Sequence, residues 1–528
     1  MVTIHIPLGD ISGDLNIPDQ DVREGLRSIG CSVEEDGIEI NPNRPDLFSR
    51  PGIERALRHY FFRELTEYST GAPSIECVNE RPAIRPFITC AVLRGVKFDD
   101  RSIRELVEFQ ELLHLTLGRN RRFAAIGLHD LDKVSSPFRY RNAHGDERFV
   151  PLGGDGEISI SEILEKNEKG IEYRHLVEGD KGLYPLLEDA HGRVLSMPPI
   201  INGNVTALTG STRMLFIDVT GISEYVPCTV LNLIVCDLLE RFRGAKAERV
   251  KIMTGDDKAE YPTLDRAEMS VNVRETARIV GADIPTGDMI DALNRMGHVA
   301  YKAAREEELR VGIPCYRSDI MHQQDIFEEI AIGHGYDRLG ERLPESWTLG
   351  RKKFSTRDAL REIFVGMGFL EVTTLNLSSA EEQQDLMGLE REASVEILNP
   401  VSNLGILRFW LIPSLLSILR ANRHNPLPHK VFECDQLQDC EHACCLIEDT
   451  NADFREIKSI AEALFHSMGT DASYERIDHP SFIRGRCATI LSDGESAGLI
   501  GELHPSVLRN FQLESPVCAL ELRWEERE

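Results

Sequence analysis

At 528 residues, with 41% hydrophobic and 28% charged residues, the chain reads as a globular protein of roughly three or four domains at about 150 residues each. A formal net charge of −27 excludes a broad basic face that grips nucleic acid unaided, and leaves room for a basic partner subunit. No apolar run reaches the ~18 residues of a membrane span. The nearest, from Tyr225 to Leu239, holds Asn232 and Asp237 and reads as a buried helix. The start of the chain is strand-like and has no basic n-region. The twelve cysteines sit mostly in apolar contexts and read as reduced thiols, so a cytoplasmic protein without a membrane partner is expected.

Four mixed modules follow in series, an α+β multidomain organisation without a fixed-period repeat. The first, 1–72, carries Asn41-Pro42-Asn43-Arg44-Pro45-Asp46-Leu47, a turn-rich run feeding a helix that turns Ile53, Ala56 and Leu57 inward. Gly71-Ala72-Pro73 reads as a break. The second, 73–255, opens with an amphipathic helix over 103–117 and continues into Gly127-Leu128-His129-Asp130-Leu131-Asp132-Lys133. His129, Asp130 and Asp132 could be taken for a metal triad, but a locally hydrogen-bonded turn is favoured. Strand-like runs follow at 193–197, ended by Pro198-Pro199, and at 214–220, ended by Gly221. In the latter, Asp218 and Thr220 share a face with Met214 and Phe216, because strand period is two. A polar pair on an apolar face suggests the end of a pocket.

The third module, 261–345, reads as two short helices, capped by Asn272 and Thr286 and ended by Gly281 and Gly297, then two strands. That pattern is winged-helix-like. Asp288 and Asp291 against one Arg295 give its second helix the wrong charge for phosphates. The fourth module, 351–528, reads as helix 357–367, strands 369–377 and 395–398, helix 413–422, strand 430–433, helix 454–468 and a last strand 517–522. That order gives an antiparallel sheet with helices on one side.

Within the third module, Asp319, Asp325, Glu328 and Glu329 fall in eleven residues. Two readings stand on spacing alone. An all-oxygen set suits a hard cation, Mg2+ before Zn2+. Alternatively, Asp325 and Glu328 cap a helix start, where acids are favoured; that reading covers Asp319 poorly. Cys434, Cys440, His442, Cys444 and Cys445 cluster as well, but match no common zinc spacing, and ordinary thiols are favoured.

Four runs taken together, 41–47 with the helix after Gly52-Ile53, 127–133, Leu195-Ser196-Met197-Pro198-Pro199-Ile200-Ile201-Asn202, and Tyr316-Arg317-Ser318-Asp319 through Tyr336, resemble the phenylalanyl-tRNA synthetase beta-subunit family in its archaeal and eukaryotic form. The resemblance spans nearly the whole chain. It implies an N-terminal α/β module, a B3/B4 editing domain, a winged-helix-like B5 domain and a catalytically silent class II synthetase-like domain. It implies that Asp319, Asp325, Glu328 and Glu329 bind Mg2+, and that Leu187, Ser196, Asp218 and Thr220 line a pocket hydrolysing Tyr-tRNA-Phe. It implies an alpha2beta2 heterotetramer in which the alpha subunit holds ATP and phenylalanine and tRNA-Phe is the shared substrate. The fourth module departs from a working catalytic one: Phe432-Glu433-Cys434-Asp435 carries no ATP-holding Arg, and Leu520-Glu521-Leu522-Arg523 has no Gly run before it. A stand-alone interaction protein is disfavoured, because no basic extension or added domain is present. An independent deacylase would need the second module alone.

Overall fold

The computed structural model describes residues 2–35, 37–178, 182–305, 307–341, 350, 355–438 and 440–524. The chain divides into two units, Met1–Leu343 and Pro344–Glu528. The module limits expected at Glu345 and Arg351, and the end at Glu528, lie outside the described residues.

In the first unit, Val2–Ile4, Ile38–Ile40 and Ser32–Val33 form a small sheet. The turn-rich run becomes a 3-10 turn, Pro45–Leu47, and Ser49 Oγ caps the helix Arg50–Phe62 by accepting from Gly52 N at 3.2 Å. Ile53 and Leu57, four apart, are fully buried; Ala56 is half-buried.

A ten-stranded sheet dominates this unit. Its order is Ile201–Asn202, Val194–Met197, Leu183–Glu188, Phe138–His144, Thr70–Asn79, Lys246–Thr254, Phe87–Arg94, Met214–Gly221, Ala124–Asp130, with Asp257–Tyr261 added beside Lys246–Thr254. The sequence reading omits Phe138–His144 and Leu183–Glu188. It also misplaces a break: Thr70–Asn79 runs straight through Gly71-Ala72-Pro73. The pairing with Lys246–Thr254 slips there, from Glu248↔Gly71 to Val250↔Ile75, so Pro73 sits in an irregularity where its missing N–H removes no ladder bond. The helix expected at 103–117 is Asp100–Leu115, started by a reciprocal Asp99–Ser102 capping box.

Further along, Ala267–Asn272, Glu308–Ile313 and Val299–Lys302 form a three-stranded antiparallel sheet beside helices Val273–Val280, Thr286–Arg295 and Gln323–His334. Asn272 caps as expected, and Gly281 ends its helix at a left-handed φ of 77°. Thr286 does not cap; it is the first helical residue, behind Pro285.

In the second unit the sheet order is Leu370–Glu371, His429–Leu437, Cys440–Glu448, Val517–Trp524, Glu495–Leu503, Phe482–Ser492, Ala472–Arg476. It is antiparallel except for the Leu370–Glu371 edge. Helices cover both faces, not one. Leu415 and Leu419 of Ile412–Asn422 pack with Cys444 and Leu446, whereas Phe364 of Thr356–Gly366 and Leu464 of Phe454–Met468 pack with Cys445 and Ile447. Alternation along Cys440–Glu448 feeds both cores. The continuous strand expected over 369–377 is interrupted after Glu371, and 395–398 contributes only an isolated Glu396↔Ile406 bridge. Leu370, Leu375 and Leu398 are exposed, so the apolar pattern there does not mark a buried strand face.

Candidate functional site

The ten-stranded sheet curls until the two ends of its strand order face one cavity of about 280 Å³, walled by Ala125–Gly127 on one side and Ser196–Asn202 on the other. Two of the four expected pocket residues line it, Ser196 and Asp218. Asp218 is buried and directly paired with Gly127 across the ladder. Its Oδ1 meets His129 Nε2 at 2.7 Å, and His129 Nδ1 meets Thr206 Oγ1 at 2.8 Å. A carboxylate only accepts, so Nε2 carries the hydrogen. Ser196 Oγ is buried with no hydrogen-bond partner.

The other two expected residues stand behind the wall. Leu187 is fully buried and paired with Ser196 on one side and Tyr140 on the other. Thr220 accepts from the buried Arg85, Nε to Oγ1 at 3.3 Å and Nη2 to its carbonyl at 2.6 Å. Burial pulls the Arg85 guanidinium down to about 10, against the pull of Tyr140 and Asp218.

Several lining residues went unread in the sequence. His114 Nε2 accepts from Ile126 N–H at 2.9 Å, so Nδ1 holds the hydrogen and donates to Glu111 Oε1 at 3.2 Å. Burial lowers the His114 pKa in spite of Glu111. Burial also raises Glu111, but His114 and Arg121 outweigh it and hold that carboxyl at about 2. His129 was legible in principle: a buried aspartate needs a partner, and the 124–130 strand offers only one cationic type of side chain. His129 is turned to Asp218, away from Asp130, which accepts from Thr212 Oγ1, and Asp132, which accepts from Arg213 N and Met214 N. The local-turn expectation holds only for Leu131–Lys133, where Asp132 N donates to Asp130 Oδ1 at 3.1 Å; His129 and Asp130 stand in the 124–130 strand and find their side-chain partners far along the chain. No base touches Ser196 Oγ, so the cavity offers polar recognition and not a serine nucleophile.

All four expected metal-binding acids line a second cavity, about 300 Å³, together with Asn41, Asn43 and Arg44 of the turn-rich run. The structure thus brings together two motifs far apart in sequence. Asp319 takes both its oxygens to Arg317, at 2.9 and 2.7 Å, and Glu329 Oε2 meets Arg317 Nη1 at 2.7 Å and His298 Nε2 at 3.1 Å. Burial would lower the Arg317 pKa, but Glu329 and Asp319 hold it well above the usual value. Burial would raise Glu329, but Arg317 and His298 hold it well below the carboxylate range. Asp325 Oδ2 accepts from Met321 N and His322 N, both at 2.7 Å, a helix-start cap. Glu328 is exposed. As chemistry, four carboxylates on one wall fit a hard cation. As placed, among the described residues no group of three or more His, Cys, Asp or Glu side chains converges for a metal.

In the second unit, Arg408 is buried. Its guanidinium meets Glu433 Oε1 at 2.9 Å and Asp435 Oδ2 at 2.7 Å, and also Thr374 Oγ1. Glu521 accepts from Leu411 N and Ile412 N and pairs with His442 Nδ1 at 2.9 Å. Cys444 and Cys445 point into opposite cores, which separates them as ligands. Among the described residues no helix is long and apolar enough to cross a membrane.

Family models match three stretches: the B3/4 domain over 92–226, the tRNA synthetase B5 domain over 269–336, and the phenylalanyl tRNA synthetase beta chain CLM domain over 340–524. The phenylalanine–tRNA ligase beta subunit of Methanocaldococcus jannaschii is 38% identical, over 99% of this chain and 100% of its own. That of Thermococcus kodakarensis is 38% identical, over 91% of this chain and 89% of its own. A crystal structure of an N-terminal fragment of the Pyrococcus horikoshii phenylalanyl-tRNA synthetase beta subunit is 32% identical, with a TM-score of 0.59 over 63% of this chain and 100% of that one. With this coverage, and with mixed α/β units that hold the matched modules in the same order, the chain belongs to the phenylalanine–tRNA ligase beta-subunit family and is a subunit of an aminoacyl-tRNA ligase.

Proposed function

We propose that this subunit supports attachment of phenylalanine to tRNA-Phe and hydrolyses mischarged Tyr-tRNA-Phe in the cavity that holds Asp218. The observation that carries the reading is one buried carboxylate on a cavity wall, tied through Oδ1 to His129, beside an unpartnered Ser196 Oγ. A hydrophobic synthetic pocket rejects an added hydroxyl only roughly 10²-fold. A second site must therefore recognise that hydroxyl. Asp218 Oδ2 accepts the tyrosyl phenol, Ser196 Oγ supplies a second polar contact, and Leu187 and Thr220 pack behind them. Water attacks the ester carbonyl, with a further water or the tRNA's own terminal ribose hydroxyl as activator; the C–O bond to the ribose breaks, releasing tyrosine and a tRNA with its hydroxyl restored.

The editing module is assigned to 73–255, the N-terminal module to 1–72, the B5 module to 261–345 and the silent synthetase-like module to 351–528. ATP and phenylalanine are held by an alpha subunit in an alpha2beta2 assembly in the cytoplasm. Asp319, Asp325, Glu328 and Glu329 would hold Mg2+, which would supply this acidic wall with positive charge beyond what Arg317 gives.

Deacylation of preformed Tyr-tRNA-Phe by the assembled enzyme tests the reading. Asp218→Ala should slow it at least about tenfold, the loss of about one charge-assisted hydrogen bond, with phenylalanine charging near normal. An unchanged rate removes Asp218 from the site; joint loss of charging and deacylation makes it structural.

A further inference from the structure

Two thiols from distant parts of the first unit meet away from both cavities described above. Cys236 lies on the helix Tyr225–Arg241, and Cys315 stands just before Tyr316 and Arg317. Their sulfurs are 3.5 Å apart across 79 positions of sequence. A disulfide bond is about 2.05 Å long, so an approach of about 1.5 Å would join them.

The two thiols are unequal in access. Cys236 is fully buried. Cys315 is half-buried and lines a cavity of about 210 Å³ together with Thr66, Tyr68 and Arg266. Glu67 and Asp265, both exposed, also line this cavity, so it opens to solvent. They are unequal in charge as well. Arg55 is buried beside the pair, with Nη1 donating to Tyr68 Oη at 3.1 Å and its guanidinium 3.7 Å over the ring of Tyr316. The hydrogen bond from Cys236 holds Cys315 below the usual thiol value, against burial and with help from Arg55 and Arg266. Burial pushes Cys236 well above that value. Cys315 thus has the thiolate character and the access of an attacking sulfur, and Cys236 the position of a resolving one. Burial pushes two other half-buried thiols the other way, Cys228 up to about 11 and Cys434 up to about 12.

We propose that Cys315 and Cys236 are a redox-sensitive pair, which a small neutral hydroperoxide oxidises to a reversible disulfide. The cavity admits a molecule little larger than water, whose share of liquid volume is about 30 Å³, and its two carboxylates disfavour a bulky anionic oxidant. The Cys315 thiolate attacks one peroxide oxygen. An S–O bond forms, the O–O bond breaks, and hydroxide leaves and is protonated to water. The Cys236 sulfur then attacks the sulfenic sulfur. The S–S bond forms, the S–O bond breaks, and the departing hydroxide takes the Cys236 proton as a second water. Two thiols lose two electrons, and one hydroperoxide is reduced. The new bond ties the segment that leads into Arg317 and Asp319 to the helix Tyr225–Arg241.

The test treats the assembled enzyme with hydrogen peroxide, blocks the remaining thiols with N-ethylmaleimide and maps the cysteine peptides by mass spectrometry. A peptide joining Cys236 to Cys315 should appear, at least about tenfold faster than oxidation of Cys228 or Cys434, and dithiothreitol should reverse it. In Cys236→Ser the reaction should stop at a sulfenic acid on Cys315, trapped by dimedone; in Cys315→Ser neither thiol should be oxidised ahead of Cys434. Absence of the joined peptide while Cys228 or Cys434 is oxidised, or absence of a dimedone adduct on Cys315 in an assembled Cys236→Ser enzyme, overturns the proposal and leaves the pair as a packed thiol–thiol contact. Should Cys236→Ser fail to assemble, the wild-type map and Cys315→Ser decide.

Discussion

At Gly127 a single methyl group decides whether the cavity keeps its carboxylate. A Cβ there would overlap Asp218 Oδ1 and come within 2.5 Å of His129 Nε2. Glycine is required by the pair opposite, not by its own backbone. Gly127→Ala should cost about 1–3 kcal/mol of overpacking in a urea melt and sharply reduce Tyr-tRNA-Phe deacylation, while phenylalanine charging survives. Full deacylation by this variant would place recognition elsewhere. His59 offers a different residue-scale consequence. Burial, then Arg55, Arg58 and Arg266, push its pKa down to about 3 from 6.5. Between those values the unfolded chain binds the extra proton, so stability is full above about 6.5 and falls as pH drops through the window, by up to about 1.4 kcal/mol per unit. Glu54, one turn away and raised to about 7 by burial, acts with the opposite sign, losing stability as pH rises from 4.5. His59→Gln should therefore flatten the acid side of a urea-midpoint profile taken from about pH 7 to about pH 5; a profile that still falls as steeply with acid would take His59 out of the account.

The acidic helix start separates two roles at the scale of an element. Asp325 serves the helix Gln323–His334 as its cap, whereas Glu328, on the same face, is exposed. Asp325→Ala should lose about 1 kcal/mol of stability whether or not metal is present. Glu328→Gln should leave stability within about 0.5 kcal/mol and yet diminish the rise in Tm that Mg2+ gives the assembled enzyme. An undiminished Mg2+ response in Glu328→Gln would reduce the run to a capped helix start. Asp319 and Glu329 are poorer probes, because removing either one leaves Arg317 short of a buried partner. Elements also show where pattern misleads. The 369–377 run is apolar enough to read as a strand, but Leu370 and Leu375 are exposed and the ladder stops at Glu371.

For the whole molecule, the expectation concerns what the chain does without a partner. Purified alone, it should show no phenylalanine-dependent ATP–pyrophosphate exchange. The missing phosphate-holding Arg on the 429–437 strand was apparent from residue types. The second unit adds that Glu433 and Asp435 are already taken by the chain's own Arg408, and Glu521 by backbone N–H groups at a helix start. Robust exchange by the single chain would contradict this.

The order of modules, most helices and the acidic run were legible along the chain, because each depends on local periodicity, caps and residue types within a few positions. Asn272 with Gly281, and Phe454–Met468, needed nothing more distant. The resemblance of four ordered runs also lay in the sequence, and it named candidate pocket residues without showing which of them meet. Tertiary structure alone decided the partners. Asp218 finds His129 across 89 positions, Ser196 reaches the same cavity from the far end of the strand order, and Leu187 and Thr220 fall behind the wall. It alone set Arg317 between Asp319 and Glu329, and the 41–47 run beside them. The physical reason is common to all of these. A buried charge must be paired, and which group pairs it is settled by sheet register and curvature, quantities that no local pattern of residues encodes.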